Sequence, residues 1–354
     1  FVKFDDKFFS KNINLGLDLQ GGSYLLLEID NRPVITQKLQ AKIIELKRYF
    51  KEKKITLKNF SLKGDTILFE TTDNEIENVI NILNDKESDV NTYYPTYKSH
   101  EFDVIEDGNL FSLNYSRYGL VLLKNSSLDQ AIEIVRRRVD EVGTNEPNIL
   151  KRGNDRILLE LPGLDNPDRI KSLLGKTADL AFRLESKSSN ESFGTEKLKL
   201  IETGEELLLS KRVIISGDNL VDASPRMDSL NNQTVVSFTL DRVGSKRFAQ
   251  ATKRNIGTRL AIVLDGQIIS APVIRDVIAG GSGQISGGFT FQSATDLALL
   301  LRSGALPAPL NIIEERTVGP DLGQDSINAG ILSLIIGFLL VIGFMTFKLS
   351  LIHI

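Results

Sequence analysis

Side-chain chemistry needs a nucleophile with a base, a set of metal ligands or a cradle for phosphate, and this sequence is poor in all three. It carries no Cys and two His, His100 and His353, far apart in the chain. That excludes disulfides, thiolate nucleophiles, zinc–cysteine sites and iron–sulfur clusters, and leaves no clustered imidazoles for a metal site or a triad. Asp18, Asp265 and Asp321 are the carboxylates open to promotion. Asp265 is accounted for by the turn pair Asp265-Gly266, Asp321 lies in a Gly- and Pro-rich segment, and no nucleophile–base pair can be assembled. The expectation is a protein that is not an enzyme, with no catalytic residue, no metal and no cofactor.

Two glycine runs invite a nucleotide reading and fail it. In Gly16-Leu17-Asp18-Leu19-Gln20-Gly21-Gly22-Ser23, Gly22 stands where a Walker loop needs Lys, and a strand rather than a helix is expected next. A tight backbone passage that only glycine fits is the better reading. In Gly280–Gly288 the third position of the dinucleotide fingerprint is Ser286, so a hinge or return loop is expected. Arg136-Arg137-Arg138 stands beside Glu133, Asp140 and Glu141, as a solvated or ion-paired helix face would. The basic stretch containing Lys38, Lys42, Lys47, Arg48, Lys51, Lys53 and Lys54 reads the same way. Over the whole chain 43 Lys and Arg face 46 Asp and Glu, a net charge of −3, which gives no footprint for nucleic acid.

The elements that would position these residues alternate between strand and helix. Hydrophobic periodicity predicts a strand at Ser23–Ile29, a helix at 34–54 with Leu39, Ile43, Leu46 and Phe50 on one face, and a strand at Thr66–Glu70. A short helix at 75–83 and a strand at 115–123 follow. A second unit has a helix at 127–142 closed by Gly143, a strand at 156–161 ended by Pro162-Gly163, and a helix opened by Asn166-Pro167 and stopped by Gly175. A returning strand is expected at 180–185. Two such α+β units suggest ferredoxin-like halves.

The polar run Ser186–Ser192 marks a boundary. Beyond it come strands near 211–215 and 234–240, a helix near 244–256, and a hairpin of 259–264 with 267–271 about Asp265-Gly266. Ser293 is expected to cap a helix that Gly304 ends, before Pro307 and Pro309. This reading divides the chain into a base (1–190), an inserted head (191–288), a return to the base (289–325) and a final apolar segment.

That segment, Ser326–Phe347, carries no charge and as a helix would span about 33 Å, against a hydrocarbon core of about 30 Å. It is expected to cross a membrane, with Lys348 opening a cytoplasmic end at 348–354. The chain starts at Phe1 and stops shortly after the apolar run, so more protein is expected around it.

Six segments in fixed order resemble the SecD family of translocase subunits, within the resistance-nodulation-division superfamily. They are Gly16–Gly22, Arg138–Pro147 (with Gly143 and Glu146), Arg156–Gly163, Asn255–Gly266, Leu301–Pro309 (with Arg302 and Gly304) and Val318–Ile327 (with Gly319, Pro320 and Gly323). The resemblance covers nearly the whole chain. It implies an α+β fold in which a ferredoxin-like periplasmic base carries an inserted mobile α+β head, followed by one transmembrane helix, the second of the family's set. It implies a bacterial inner-membrane protein, multi-pass in full length, with residues 1–325 periplasmic. The implied activity is proton-gradient-driven export of secretory proteins, the head holding emerging unfolded polypeptide. Implied partners are SecF, the SecYEG translocon, YajC, YidC and membrane lipid. The family's intramembrane Asp has no counterpart before Ile354.

A head that handles varied chains needs strand edges and apolar pockets rather than exact polar contacts. Phe238, Leu240, Ile262 and Ile269 are the candidates to line that site, and the same residues would serve equally as the head's core. The glycine segments 16–22 and 319–323 are expected either to link head motion to the bilayer or to pack backbone tightly in the base. Two other classes stay open: a small-molecule or lipid exporter, and a passive membrane-tethered binding module. An aromatic share of 7% weighs against the exporter, which would want an aromatic-rich pocket.

Overall fold

The first described strand is β1 (Gly22–Ile29), which alternates Leu25, Leu27 and Ile29 inward with Tyr24, Leu26 and Glu28 on its other face. The structure, a computed structural model, describes residues 22–143, 147–164, 167–186, 194–228, 233–318 and 320–353. After β1 the chain leaves for a separate layer: α1 (Arg32–Glu52), β2 (Lys58–Lys63), β3 (Thr66–Glu70), α2 (Ile76–Asn84), the short β4 (Tyr93–Tyr94) and β5 (Ser99–His100), β6 (Phe102–Asp107) and β7 (Leu110–Tyr115). Its antiparallel sheet has the order β2-β3-β7-β6. Leu39, Leu46 and Phe50 of α1 pack with Phe69, Phe102 and Phe111 to give this subdomain a core of its own.

The chain then returns. α3 (Arg117–Val142), β8 (Asn148–Arg152), β9 (Arg156–Pro162) and α4 (Asp168–Leu174) belong with β1. The expected strand at 115–123 is mostly helix. Ser116 accepts the Gly119 N–H at 3.0 Å and starts α3, because a short apolar run does not by itself separate strand from helix. Pro167 stands at the N-cap of α4, while Asn166 lies outside the described residues.

The head comprises β10 (Leu180–Glu185), β11 (Thr195–Lys199), β12 (Glu206–Ser216), β13 (Leu220–Met227), β14 (Thr234–Leu240), α5 (Arg242–Arg254), β15 (Leu260–Leu264), β16 (Gln267–Ser270), β17 (Ser282–Phe289) and α6 (Phe291–Ser303). Its sheets have the orders β11-β12-β10-β15-β16 and β13-β14-β17. Phe182, Phe238 and Phe248 meet between them with centroids 5.3–6.4 Å apart, and Ala294, Leu297, Ala298 and Leu301 of α6 close the same core. Three local expectations change here. The strand at 180–185 is the middle strand of the head sheet rather than a return to the base. The Gly280–Gly288 run is largely β17 rather than a hinge: a Cβ at Gly283 would lie 2.6 Å from the Phe238 ring, so glycine is there to seat the aromatic. The α6 cap is Thr290, whose hydroxyl accepts the Ser293 N–H at 3.1 Å.

From the head the chain comes back as β18 (Leu310–Val318) and runs into α7 (Pro320–His353). The base sheet has the order β18-β1-β9-β8, every neighbour antiparallel. With α3 and α4 on one face it is a single ferredoxin-like unit, β1-α3-β8-β9-α4-β18, rather than two successive halves. The layer at 32–116 interrupts it after its first strand and the head interrupts it before its last. Within α7, Asn328–Lys348 is long and apolar enough to cross a membrane and has no buried share; its 21 residues span about 31 Å.

Candidate functional site

Both connections between base and head pass through one place. The first runs from α4 through 175–179 into β10, the second from α6 through 304–309 into β18. They bond to each other, the Leu306 N–H donating to the Thr177 carbonyl at 2.8 Å. Against them α3 presents Arg138, which is 1% exposed. Its Nη1 donates to the carbonyls of Leu173 (2.7 Å) and Lys176 (2.5 Å), and its Nη2 to those of Thr177 and Gly304 (both 3.1 Å). A guanidinium suits this task because its donors form a rigid planar fork. Burial pushes the Arg138 pKa down to about 10, opposed by Asp265, so the side chain is a cation at neutral pH.

The head answers from its own side. Asp265, at the β15–β16 turn, accepts the N–H of Asp179 (2.9 Å) and of Ala178 (3.2 Å) and the Thr177 hydroxyl, and donates its own N–H to the Asp179 carbonyl at 3.0 Å. Asp265 and Gly266 both have positive φ, 49° and 77°, as an Asp-Gly hairpin turn requires. Asp179 is held above the usual carboxylate range, first by burial and then by the neighbouring Asp265. Arg302 of α6 bridges the units, to Glu141 of α3 at 2.5 Å and to the Ala223 carbonyl of β13 at 3.2 Å. Arg169 of α4 meets Asp296 of α6 at 2.9 Å. Leu173, Ala178, Leu299 and Leu300 form an apolar plug among these bonds. A cleft of about 830 Å³ opens beside them, lined in part by Lys38, Gln130, Asp179, Asp218, Gly266 and Pro307.

This constellation orients a head on a base. It presents no nucleophile–base pair, and among the described residues no group of three or more His, Asp or Glu could hold a metal. Arg138, Asp265, Gly266, Arg302, Gly304, Pro307 and Pro309, which span more than 170 positions of sequence, converge here. Gly143 ends α3 close by and Pro147 precedes β8. Gly22 sits elsewhere, at the other end of the base sheet, between Pro162 and Val318 in register. A Cβ there would lie 2.2 Å from the Leu161 carbonyl, at φ 134°, so only glycine fits. Gly163 follows in the adjoining turn, and Pro320 and Gly323 lie in the opening turns of α7. Gly16, Leu17, Asp18, Gly21, Glu146 and Gly319 lie outside the described residues.

Phe238, Leu240, Ile262 and Ile269 are 2–5% exposed and share the head's core cluster. Side chains so covered meet no external chain in this conformation, so an open surface has to be sought elsewhere on the head. A groove of about 540 Å³ runs between β12 and α5. Leu184, Val213 and Ile214 supply its apolar wall, with Val213 41% exposed, and Arg212, Arg247 and Arg254 its basic rim. β12 slips register against β10 between Leu209 and Val213, where the Lys211 N–H turns to the Gly194 carbonyl at 2.9 Å. Nothing in the hydrophobic periodicity announces this groove. Its signal was Arg247, Gln250, Ala251 and Arg254 at helical spacing, which shares one face of α5.

Residues 192–308 match the family model for the SecDF P1 head subdomain, 128–187 that for the N-terminal part of the P1 domain of protein translocase subunit SecDF, and 8–31 the SecD/SecF GG motif. Protein translocase subunit SecD of Acetobacter pasteurianus is 40% identical over 346 residues, which are 95% of this chain and 65% of that protein. SecD of Rickettsia conorii is 40% identical over 98% of this chain and 67% of its own length. The chain thus spans about two thirds of the curated relatives it matches. A crystal structure of SecDF in a super-membrane-facing form superposes with a TM-score of 0.54 at 29% identity, covering 92% of this chain and 34% of that one.

Proposed function

The chain belongs to the SecD family of protein translocase subunits, and from that premise we propose that it is an accessory part of the Sec export apparatus whose head holds secretory polypeptide as it emerges. The observation that carries this is the head groove. It offers an open apolar wall with a basic rim, on a head joined to the rest of the chain through one polar junction. Unfolded chains arrive in every sequence, and shallow apolar surface beside an irregular strand accepts them without demanding one partner.

In this reading Asn328–Lys348 anchors the protein in the bacterial inner membrane and residues 1–325 lie in the periplasm. SecF, the SecYEG translocon, YajC and YidC are its partners, and the proton gradient drives the complete complex. The head is drawn at about 176–304 rather than 191–288, because β10 and α6 both pack in its core. β1 and β18 pair from Gly22 and Val318, directly before α7, and supply a stiff link between base and bilayer.

A photo-crosslinker at Val213 tests the groove, with one at Leu150, exposed on β8 of the base, as control. In membranes carrying a stalled secretory chain, capture is expected at Val213 and not at Leu150. Equal capture at both positions would sink the assignment.

A further inference from the structure

Residues 32–116 lie outside the three segments that family models match, and they hold a dense run of cations. From Lys47 to Lys63 there are seven cations (Lys47, Arg48, Lys51, Lys53, Lys54, Lys58 and Lys63) and one carboxylate, Glu52. None of the seven forms an ion pair among the described residues. One turn earlier on α1, Lys42 is tied to Glu45 at 3.0 Å and Glu101 at 3.5 Å, so charges on this helix are paired where they serve the fold. We propose that the end of α1 together with β2 docks an acidic segment of a partner protein, anchored by one apolar side chain.

The anchor has a place. A slot of about 280 Å³ lies between the last turns of α1 and β2, with Phe50, Ile55, Leu57 and Phe60 as its floor and Lys47, Lys51 and Lys54 around it. Lys47 rests over the Phe60 ring at 4.9 Å, which holds one cation at the slot's mouth. Seven like charges held together repel one another, and carboxylates arriving between them relieve that repulsion. The occupant docks through side chains rather than as an added strand. β2 is an edge strand, but its register with β3 breaks between Lys58 and Ser61 and Asn59 has φ 52°, which spoils an edge for pairing. A protein partner is favoured over the bilayer by topology. The subdomain leaves the base sheet at the Ile29–Leu310 end, whereas α7 departs from the Gly22–Val318 end.

The test uses the full chain in detergent micelles and a short fluorescein-labelled Glu/Ser peptide with one central Phe, read by anisotropy. Binding that weakens with salt is expected. The K47E/K51E/K54E variant should lose about tenfold or more in affinity with a thermal melt no lower than the parent's, since these lysines are exposed and the change relieves their mutual repulsion. The same peptide with Gly for Phe should lose at least about threefold, because the slot is then unfilled. Equal binding by the variant, equal binding of the Phe-less peptide, or binding to phosphatidylglycerol vesicles with none to the peptide would each overturn the proposal.

Discussion

The junction and the head groove both combine arginine with apolar surface, and they are built in opposite ways. At the junction the guanidinium of Arg138 is buried, and its two Nη atoms donate to four backbone carbonyls, one at the end of α4 and three in the two connections, while its Nε finds no acceptor among the described residues. In the groove Arg212, Arg247 and Arg254 line an open channel beside an exposed Val213, where β12 has slipped its register. Buried polar groups committed to partners within the chain specify one arrangement; exposed ones leave their capacity for something outside. The contrast teaches where the chain holds itself and where it is free to hold another.

The sharpest way to break the comparison is Arg138→Ala. Four carbonyls lose their donor in a buried setting, and urea denaturation should show a loss of about 3–5 kcal/mol. A loss under about 1 kcal/mol would mean that the junction is not a tie. Asp265→Ala is next, because it strips the acceptor from the N–H groups of Ala178 and Asp179 and from the Thr177 hydroxyl; about 1–3 kcal/mol is expected by the same measurement.

A pH series refines the picture. Asp179 takes up its proton more readily when folded than its ordinary value of 3.8, because of burial and then the charge of Asp265. The unfolded chain therefore gives up that proton first, and this residue's contribution falls as pH rises above about 3.8. Asp179→Asn should match the parent protein in acid and become the more stable of the two toward neutrality. Urea midpoints across pH check this, and a gap that shrinks with rising pH would refute it. The smallest effect on folding belongs to the groove. Val213→Ser should change stability by no more than about 0.5 kcal/mol, while crosslinking of a stalled secretory chain from a neighbouring groove position drops. If binding survives and stability falls, Val213 is core rather than contact.

Legibility followed the range of the signal. The Asp265-Gly266 hairpin was readable because turn chemistry is local: two consecutive residues at positive φ favour that pair wherever they occur. The membrane helix was readable because lipid demands an unbroken apolar run. Residues 117–123 were misread because Leu120–Leu123 suits either element until Ser116 supplies a cap. Gly283 of β17 was misread because its reason is Phe238, which sits more than 40 positions away. Phe238, Leu240, Ile262 and Ile269 were rightly seen as apolar strand positions, but composition does not say which face of a sheet meets the core.

Sequence by itself determined the absence of cysteine chemistry, the family and the division into a polar body and an apolar anchor. Absent cysteines, a sustained uncharged run and motifs in fixed order are properties of a string. Only the tertiary structure decided that one ferredoxin-like unit is interrupted twice, and that Arg138, Asp265 and Gly304 meet at one point. Strand pairing and burial are relations between distant residues, and loop closure costs so little more with length that a chain can leave a sheet for more than a hundred residues and return. No local pattern records where it comes back.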